Sequence, residues 1–465
     1  MIADKEQEIA SKYIENDSLI IAGAGSGKTT TLLLKIDYLI KQGIKENEIL
    51  VISFTNETVN NFINKCKYNI DVMTFHKLAN KIIKNDKEIV DDEFLKDCII
   101  KYFKNIPTKL KKKLYISFVG VLYTDVKYNK NIEAVTSSSI TSYFYSTIKQ
   151  LIANMIDINK CDITRFKNNE KILLYCTKKI IDYYNEELVE NNFIDFDSLI
   201  IEATRILNDQ KIHHNYKHIL VDEYQDISMI RLNFLKSLIK VNNSILTAVG
   251  DDFQSIYGFS GSNINLFYNF QKHFKNSKIF YIHTSYRCPR LIVKKAGRFI
   301  MKNPCQIKKN IISNSKVRGK IIKIRARSFY AELIKIIRKY RHKNKSILII
   351  GRNNFDINFY INKKNRVENS YIVYNNKTYK NIRYLTVHKS KGLEADITII
   401  INLSNSRLGF PCRDNNTLIP KLIKNEETYL YAEERRLFYV ALTRCKLKTY
   451  LIINRKAPSE FISEI

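Results

Sequence analysis

The stretch "IIAGAGSGKTTTLLLKI", residues 20–36, decides the fold. An apolar run gives way to Gly23, Gly25 and Gly27, then to Lys28, Thr29 and Thr30, and then to a second apolar pattern at Leu33, Ile36, Leu39 and Ile40. The run Leu19–Ala22 predicts a buried strand, and the spacing after it predicts a helix over Thr30–Ile40. Strand, glycine loop and helix in that order form a phosphate-binding loop. The glycines let backbone N–H groups approach phosphate oxygens, and the helix N-terminus adds its positive dipole end. Lys28 then reaches the β- and γ-phosphates of a nucleotide, and the Thr29 hydroxyl binds Mg²⁺. The position that opens the motif is Ala22 where glycine is usual; Gly23, Ala24, Gly25, Ser26 and Gly27 complete the cradle.

A second segment supplies what a phosphate loop needs for hydrolysis. "KHILVDEYQDIS", residues 217–228, carries the apolar run Ile219–Val221 into two acids. Asp222 at the strand end holds Mg²⁺ through water, and Glu223 orients and deprotonates the attacking water. A further apolar strand leads to "GDDFQSIYGFSG", residues 250–261, where Gln254 sits as a sensor of the γ-phosphate. A chain of 465 residues is long enough for two to four domains with cores of their own.

Composition points to the partner. The formal net charge is +31, from 77 basic and 46 acidic residues, and a charge of that size favours a polyanion, nucleic acid first. Residues 301–350 hold fifteen Lys or Arg against the single acid Glu332, and "KKNIISNSKVRGKIIKIRARS", 308–328, alternates basic and apolar residues like a strand with one basic face. Residues 101–150 carry nine lysines, four of them in "KLKKK" at 109–113. None of the eight cysteines forms a C-x-x-C pair, so no zinc or iron–sulfur site is signalled. A polar N-terminus and the lack of any apolar run near ~20 residues predict a cytoplasmic chain with reduced thiols and no membrane span.

Taken in order, these segments resemble the superfamily 1 helicases of the UvrD/Rep/PcrA type. "DKEQEIA" looks like the N-terminal glutamine motif and "AGAGSGKT" like motif I. "ILVISFTNETVNNF" (49–62) resembles motif Ia, and "VMTFHKLA" (72–79) motif Ib. "VDEYQD" and "VGDDFQSIYGFSG" resemble motifs II and III, and "TSYRCP" (284–289) motif IV. "LTVHKSKGLEAD" (385–396) and "EERRLFYVALTR" (433–444) resemble motifs V and VI. The resemblance implies two RecA-like P-loop domains with parallel sheets and a helical insertion, 1B, in the first. It implies ATP and Mg²⁺ as cofactors, with Thr29 and Asp222 at the metal, and single-stranded or tailed duplex DNA as partner. It also implies that Gln7 reads adenine, that Tyr286 stacks on it, and that Glu394 touches the nucleotide from the far lobe. Arg287 and Arg444 act as arginine fingers. Phe54, Thr74, His76, Tyr257, Phe259 and His388 line the strand path.

The domains expected on this basis are 1A at 1–79 and 205–281, helical 1B at 80–204, and 2A at 282–465. The family's 2B insertion is expected to be nearly absent, with only about thirty residues near 355–383 in its place. Three positions in two motifs depart from the family. Motif III ends in Phe259-Ser260 where Trp-Arg is usual, which weakens the grip on the strand. Thr30 stands where an adenine-stacking Arg is common. The activity implied is an ATP-driven 3′→5′ single-strand DNA translocase and helicase of repair, replication or defence. The alternative is an ATP-gated motor subunit that works with a protein partner, such as a nuclease or repair factor, and does not unwind alone.

Overall fold

The computed structural model describes residues 4–84, 86–122, 137–210, 214–413, 418–422 and 427–465. Helix α1 (Lys5–Lys12) starts at Asp4, whose carboxylate accepts from the Gln7 N–H while the Gln7 side chain accepts from the Asp4 N–H. Strand β1 (Ser18–Ala22) enters the glycine loop and helix α2 (Lys28–Lys41) leaves it. This helix begins two residues earlier than its apolar pattern suggests. Gly27 turns the chain at φ 81, so Lys28 and Thr29 already lie in the first helical turn.

Strand β2 (Ile49–Ser53), helix α3 (Asn56–Ile63), β3 (Asp71–Thr74) and α4 (Phe75–Ile83) follow. Next come β4 (Glu88–Val90), α5 (Asp92–Asn105), α6 (Thr108–Leu122), α7 (Ser137–Ala153), α8 (Asn168–Glu190) and β5 (Phe193–Asp195). The chain then returns through α9 (Phe196–Gln210), β6 (His218–Val221), α10 (Met229–Asn242), β7 (Ile245–Gly250), α11 (Ile264–Tyr268), α12 (Phe270–His273) and β8 (Lys278–Ile282).

Six of these strands form one parallel sheet in the order β3-β2-β6-β7-β1-β8. Its central strands, "SLIIA", "ILVIS" and "HILV", are buried at every position, as strands covered by helices on both faces must be. The motif segments that follow β1, β2, β3, β6 and β7 leave the carboxyl ends of these strands, where open α/β sheets bind ligands.

Between β4 and β5, which pair in parallel as a two-stranded neck, α5–α8 bury a core of their own around Leu95, Phe118, Phe144, Leu173 and Ile180. The boundaries expected at 79/80 and 204/205 fall inside α4 and α9. Both helices press apolar stripes, including Leu78, Ile82, Leu199, Ala203 and Leu207, into the core of the first sheet. The insertion therefore starts and stops at the neck strands. A helix shows its apolar face in sequence but not which core that face meets. Of the lysines expected to give 101–150 its charge, Lys127 and Lys130 lie outside the described residues.

The second lobe comprises β9 (Thr284–Ser285), α13 (Arg290–Ile300), β10 (Ile312–Ser313), β11 (Lys320–Ala326), α14 (Phe329–Tyr340) and β12 (Ile347–Gly351). It continues with β13 (Arg366–Glu368), β14 (Tyr371–Tyr374), β15 (Lys377–Thr386), β16 (Ala395–Leu403), α15 (Leu418–Leu422), α16 (Ala432–Leu442) and β17 (Cys445–Asn454). The basic stretch 308–328 is not one strand. It breaks at Gly319, φ 78, into β10 and β11. The sheet order is β11-β17-β16-β12-β15-β14-β13, parallel from β11 to β15 and antiparallel at the β14 and β13 edge. That edge meander falls where the sequence reading expected only about thirty residues near 355–383, and β15 runs from it straight into the "HKSKG" loop. Far along the second lobe, α15 packs Leu418, Ile419 and Leu422 into the helical insertion's core, and Lys421 meets Glu170 at 2.6 Å. No helix among the described residues is long and apolar enough to cross a membrane.

Candidate nucleotide cleft and nucleic-acid interface

A cleft of about 610 Å³ opens where the glycine loop faces the second lobe. Gly23, Gly25, Ser26, Gly27, Lys28, Thr29 and Thr30 line its first wall. Ala22 and Ala24 do not. Ala22 is the buried last residue of β1, and Ala24 turns its methyl into the apolar cluster of Phe253 and Ile256 behind the loop. Gly25 is required on two counts. It sits at φ 72, and a Cβ there would lie 2.4 Å from the Cβ of Arg287. A side chain at position 25 would push that arginine out of the cleft.

The acids stand opposite the lysine. Asp222 follows β6, and Glu223 adopts φ 54, a left-handed conformation uncommon outside glycine. Lys28 Nζ lies 3.1 Å from Glu223 Oε2, and Gln225 Nε2 donates to the same oxygen at 2.6 Å. Burial and the adjacent Glu223 charge raise the Asp222 carboxyl. Glu223 goes the other way: burial opposes its charge, but the positive charges of Lys28 and Lys391 outweigh it.

The second lobe contributes the far wall. Arg287 Nε donates to Glu394 Oε2 at 2.8 Å, and Lys446 pairs with the same carboxylate. Arg444 is 1% exposed; its Nη2 donates to Gln254 Oε1 at 2.9 Å and its Nε to the Val440 carbonyl at 3.0 Å. Burial, then the nearby Arg287, pushes the Arg444 guanidinium down to about 10, which leaves it charged at neutral pH. Gln254 donates in turn to Asp251 Oδ2 at 2.6 Å, so its amide joins the strand end after β7 to the arginine across the cleft. The lining cations Lys28, Lys65, Arg287, Arg444 and Lys446 outnumber the acids Asp222, Glu223 and Glu394. That excess fits a polyphosphate. Thr29 and Asp222, an alcohol and a carboxylate on one wall, are hard oxygen donors of the kind Mg²⁺ takes.

Three expected nucleotide contacts resolve differently. Tyr286 lines the cleft and its hydroxyl donates to Asp4 Oδ2 at 2.8 Å. Thr30 is also on the wall. Gln7 is not: it is buried beneath the loop, with Nε2 donating to the Ser26 carbonyl at 3.0 Å and Oε1 accepting from Asp4. In this arrangement it braces the phosphate loop.

The six residues expected on the strand path form two groups. Phe54, Thr74 and His76 line a hollow of about 350 Å³ with Phe196 and Ile89. Phe54 packs edge-on to Phe75 at 5.3 Å, with the Arg231 guanidinium 5.6 Å from its ring. Thr74 spends its hydroxyl as the N-cap of α4, accepting from the Lys77 N–H. The His76 ring lies 4.9 Å from Phe196. The second group sits where the lobes meet. Phe259, 41% exposed, lies edge-on to His388 at 5.1 Å, and the Tyr257 hydroxyl donates to the His388 carbonyl at 3.3 Å. Burial pushes both His76 and His388 down to about 3, so both rings are neutral at physiological pH.

Two lysines belong to the site that motif reading passed over. Lys391 of the "HKSKG" loop pairs with Asp226, donates to the Gln254 carbonyl at 2.9 Å, and lies 4.9 Å from the Tyr257 ring. Lys309 reaches from the second lobe's first segment to Asp251 and Asp252, 2.5 Å from each, and lies 3.9 Å from the Phe253 ring. The sequence signal for Lys391 is its place inside a motif. Lys309 has none, being one basic residue among fifteen in its window.

Two parallel α/β lobes, a phosphate loop with paired acids on one, and arginines of the other closing the same cleft define a two-lobed P-loop nucleotide-binding protein. The family follows from comparison. The UvrD/REP helicase N-terminal domain matches residues 3–275, more than half of the chain, and the UvrD-like helicase C-terminal domain matches 359–456. The chain belongs to the UvrD/Rep helicase family. It is 29% identical over 478 residues to DNA helicase IV of Escherichia coli K12, covering 96% of this chain and 68% of that protein. It is 28% identical to the ATP-dependent DNA helicase Rep of Buchnera aphidicola subsp. Baizongia pistaciae, covering 86% and 58%. A probable DNA helicase II homolog of Mycoplasma capricolum is 28% identical, covering 76% and 49%. The chain thus spans about half to two thirds of the length of these curated relatives.

Proposed function

We propose that this chain is an ATP-driven single-strand DNA translocase and helicase that moves 3′→5′ and acts in the cytoplasm. One observation carries the reading: Lys28 and Glu223 of the first lobe face Arg287 and Arg444 of the second across one cleft, with Gln254 bonded to Arg444. When bound, Mg²⁺–ATP supplies a transferable phosphoryl group. Lys28 is the phosphate contact, and Glu223, released from Lys28, orients and deprotonates the attacking water. Thr29 and Asp222 hold the metal. Arg287 and Arg444 meet the charge that develops on transfer, and they do so only when the lobes are together. Tyr286 and Thr30 flank the base.

Closure also changes the grip on a strand. Tyr257 and His388 come from different lobes and meet at the same seam, so the spacing between His388 and the lobe-one residues Phe259, Phe54 and His76 depends on the cleft. Alternating grip and release moves the chain along a strand. Polarity follows from the family resemblance. A second reading has one observation in its favour: a three-strand meander, β13–β15, stands where the family's long insertion would engage duplex. On that reading the chain is an ATP-gated motor subunit that needs a nuclease or repair partner to separate strands.

Two assays on the purified chain test this: ATP hydrolysis with and without single-stranded DNA, and displacement from a tailed duplex with and without added cell extract. DNA-stimulated hydrolysis with displacement by the chain alone is the expected result. Displacement only with extract favours the subunit reading. Hydrolysis indifferent to DNA overturns both.

A further inference from the structure

A second cavity, about 700 Å³, lies on the other side of the phosphate loop, between α13 and the segment that carries β10. Its floor includes Ala24, whose methyl turned away from the nucleotide cleft. Helix α13 buries Ile292, Val293, Ala296, Phe299 and Ile300 in the second lobe and presents Arg290, Lys294 and Arg298 to the cavity. These three are four residues apart, so they rise along the helix in steps of roughly 6 Å. Among the described residues, no carboxylate pairs with any of the three side chains, nor with Lys316 on the facing wall. Among the described residues, no Asp or Glu lines the cavity.

Gly297 lies in the middle of this cationic row. A glycine inside a helix costs stability relative to alanine, and it persists where something requires the missing side chain. Among the described residues nothing does: beyond its own helix, a Cβ at Gly297 would meet no atom within 4 Å. The other glycines around the loop are explained by their neighbours or their φ. Gly297 opens space against the cavity and serves no internal contact.

The pattern of charge separates two kinds of anion. The nucleotide cleft gathers its cations around one point and includes acids that fit a metal. Here the cations stand in a row, with no carboxylate to hold Mg²⁺. A row of cations at regular steps suits singly charged phosphates at regular steps. We propose that the α13 cavity is a second nucleic-acid contact, in which the sugar–phosphate backbone of a single strand lies along Arg290, Lys294 and Arg298 and passes close to Gly297. This rests on the reading of the chain as a nucleic-acid motor. A strand held here rests against the back of the phosphate loop through Ala24.

The test is equilibrium binding of a labelled single-stranded oligonucleotide by the full chain across a salt series. Each phosphate contact contributes about −0.7 to the slope of log K against log salt on single strands. The triple variant R290A/K294A/R298A is expected to flatten the slope by about 2. A control of equal charge on exposed lysines elsewhere, K363A/K364A/K380A, leaves it unchanged. Gly297→Leu, which fills the cavity without altering charge, weakens binding several-fold, and its circular dichroism and melting match the parent. Phe259→Ala serves as the marker of the stacking site, lowering affinity with little change of slope. If the triple variant matches its control and Gly297→Leu binds normally while Phe259→Ala weakens binding, the α13 contact is wrong and the motor reading stands. If Phe259→Ala also binds normally, the strand path itself is wrong. Binding of inorganic tripolyphosphate that the triple variant abolishes, with oligonucleotide binding unchanged, overturns the proposal in favour of a small-anion site.

Discussion

Lys309→Met removes one charge from the most enclosed ion cluster between the lobes, and its cost is set by what stays behind. The lysine side chain is 1% exposed and both aspartates are fully covered. Methionine keeps the stem's volume, so the loss is electrostatic, and two adjacent carboxylates remain in an apolar setting beside Phe253. Breaking a buried pair by deleting one partner costs about 3–5 kcal/mol, because the survivor has neither water nor counter-charge. Burial already raises Asp252, with Lys309 holding it back, so the variant raises it further. An acid whose folded-state pKa lies above its unfolded value is most favourable to folding at low pH and loses that contribution as pH rises through the folded value. The variant's deficit should therefore grow from pH 5 to pH 8. Urea unfolding followed by far-UV circular dichroism suits a chain without Trp. Adding Asp251→Asn and Asp252→Asn to Lys309→Met should restore part of the loss, a non-additivity expected of groups in contact. Asp251 also orients the Gln254 amide that meets Arg444. Turnover should accordingly fall more than substrate affinity. A Lys309→Met protein with the parent's midpoint at every pH would refute the electrostatic account of this cluster.

Glu223→Gln and Lys28→Ala should keep the fold and lose DNA-stimulated phosphate release, and Arg287→Ala should slow it roughly a thousandfold or more, the range of an arginine finger. Phe259→Ala should weaken single-strand binding by about 1–3 kcal/mol for each base stacked there, read by fluorescence anisotropy, while Phe259→Trp tightens it. His76 and His388 have folded values near 3 against ordinary values near 6.5, so each destabilises the fold as pH falls below 6.5, by roughly 1–2 kcal/mol at pH 5. For the same reason strand affinity should show no histidine-dependent rise between pH 8 and pH 6, which titration of His388→Asn beside the parent would reveal.

The order of motifs along the chain was legible because each has a local cause. A phosphate loop needs glycines at fixed offsets, and an acid at a strand end announces itself after an apolar run. Gly25 and Lys28 could be placed from "AGAGSGKT" alone. What depends on tertiary partners could not. The "KHILVDEY" strand reveals Asp222 and Glu223, but nothing local shows that Gln7 turns under the loop, or that Thr74 spends its hydroxyl on a helix cap. The boundaries expected at 79/80 and 204/205 fall inside α4 and α9, since both helices carry apolar stripes whose sequence does not say which core they meet. Helix α15 is the extreme case: a short apolar segment, late in the chain, completes a core built by residues more than two hundred positions earlier.

Lysine content explains why the coupling between lobes was hidden. In a chain with 77 basic residues, a lysine is by default a solvated charge, and sequence alone gives no reason to single out one of them. Burial does. Lys309 and Lys391 both come from the second lobe, both are almost wholly enclosed, and both end on aspartates that follow central strands of the first. Asp226 follows β6 beside Asp222 and Glu223, and Asp251 follows β7 beside Gln254. Opening the cleft must either carry these lysines out of their pairs or bend the segments that hold them. A buried ion pair is steep in distance and poorly screened by salt. The two contacts therefore hold the lobes in a defined register. A surface pair in the same place would let the lobes drift, and the position of the arginines relative to Glu223 would drift with them.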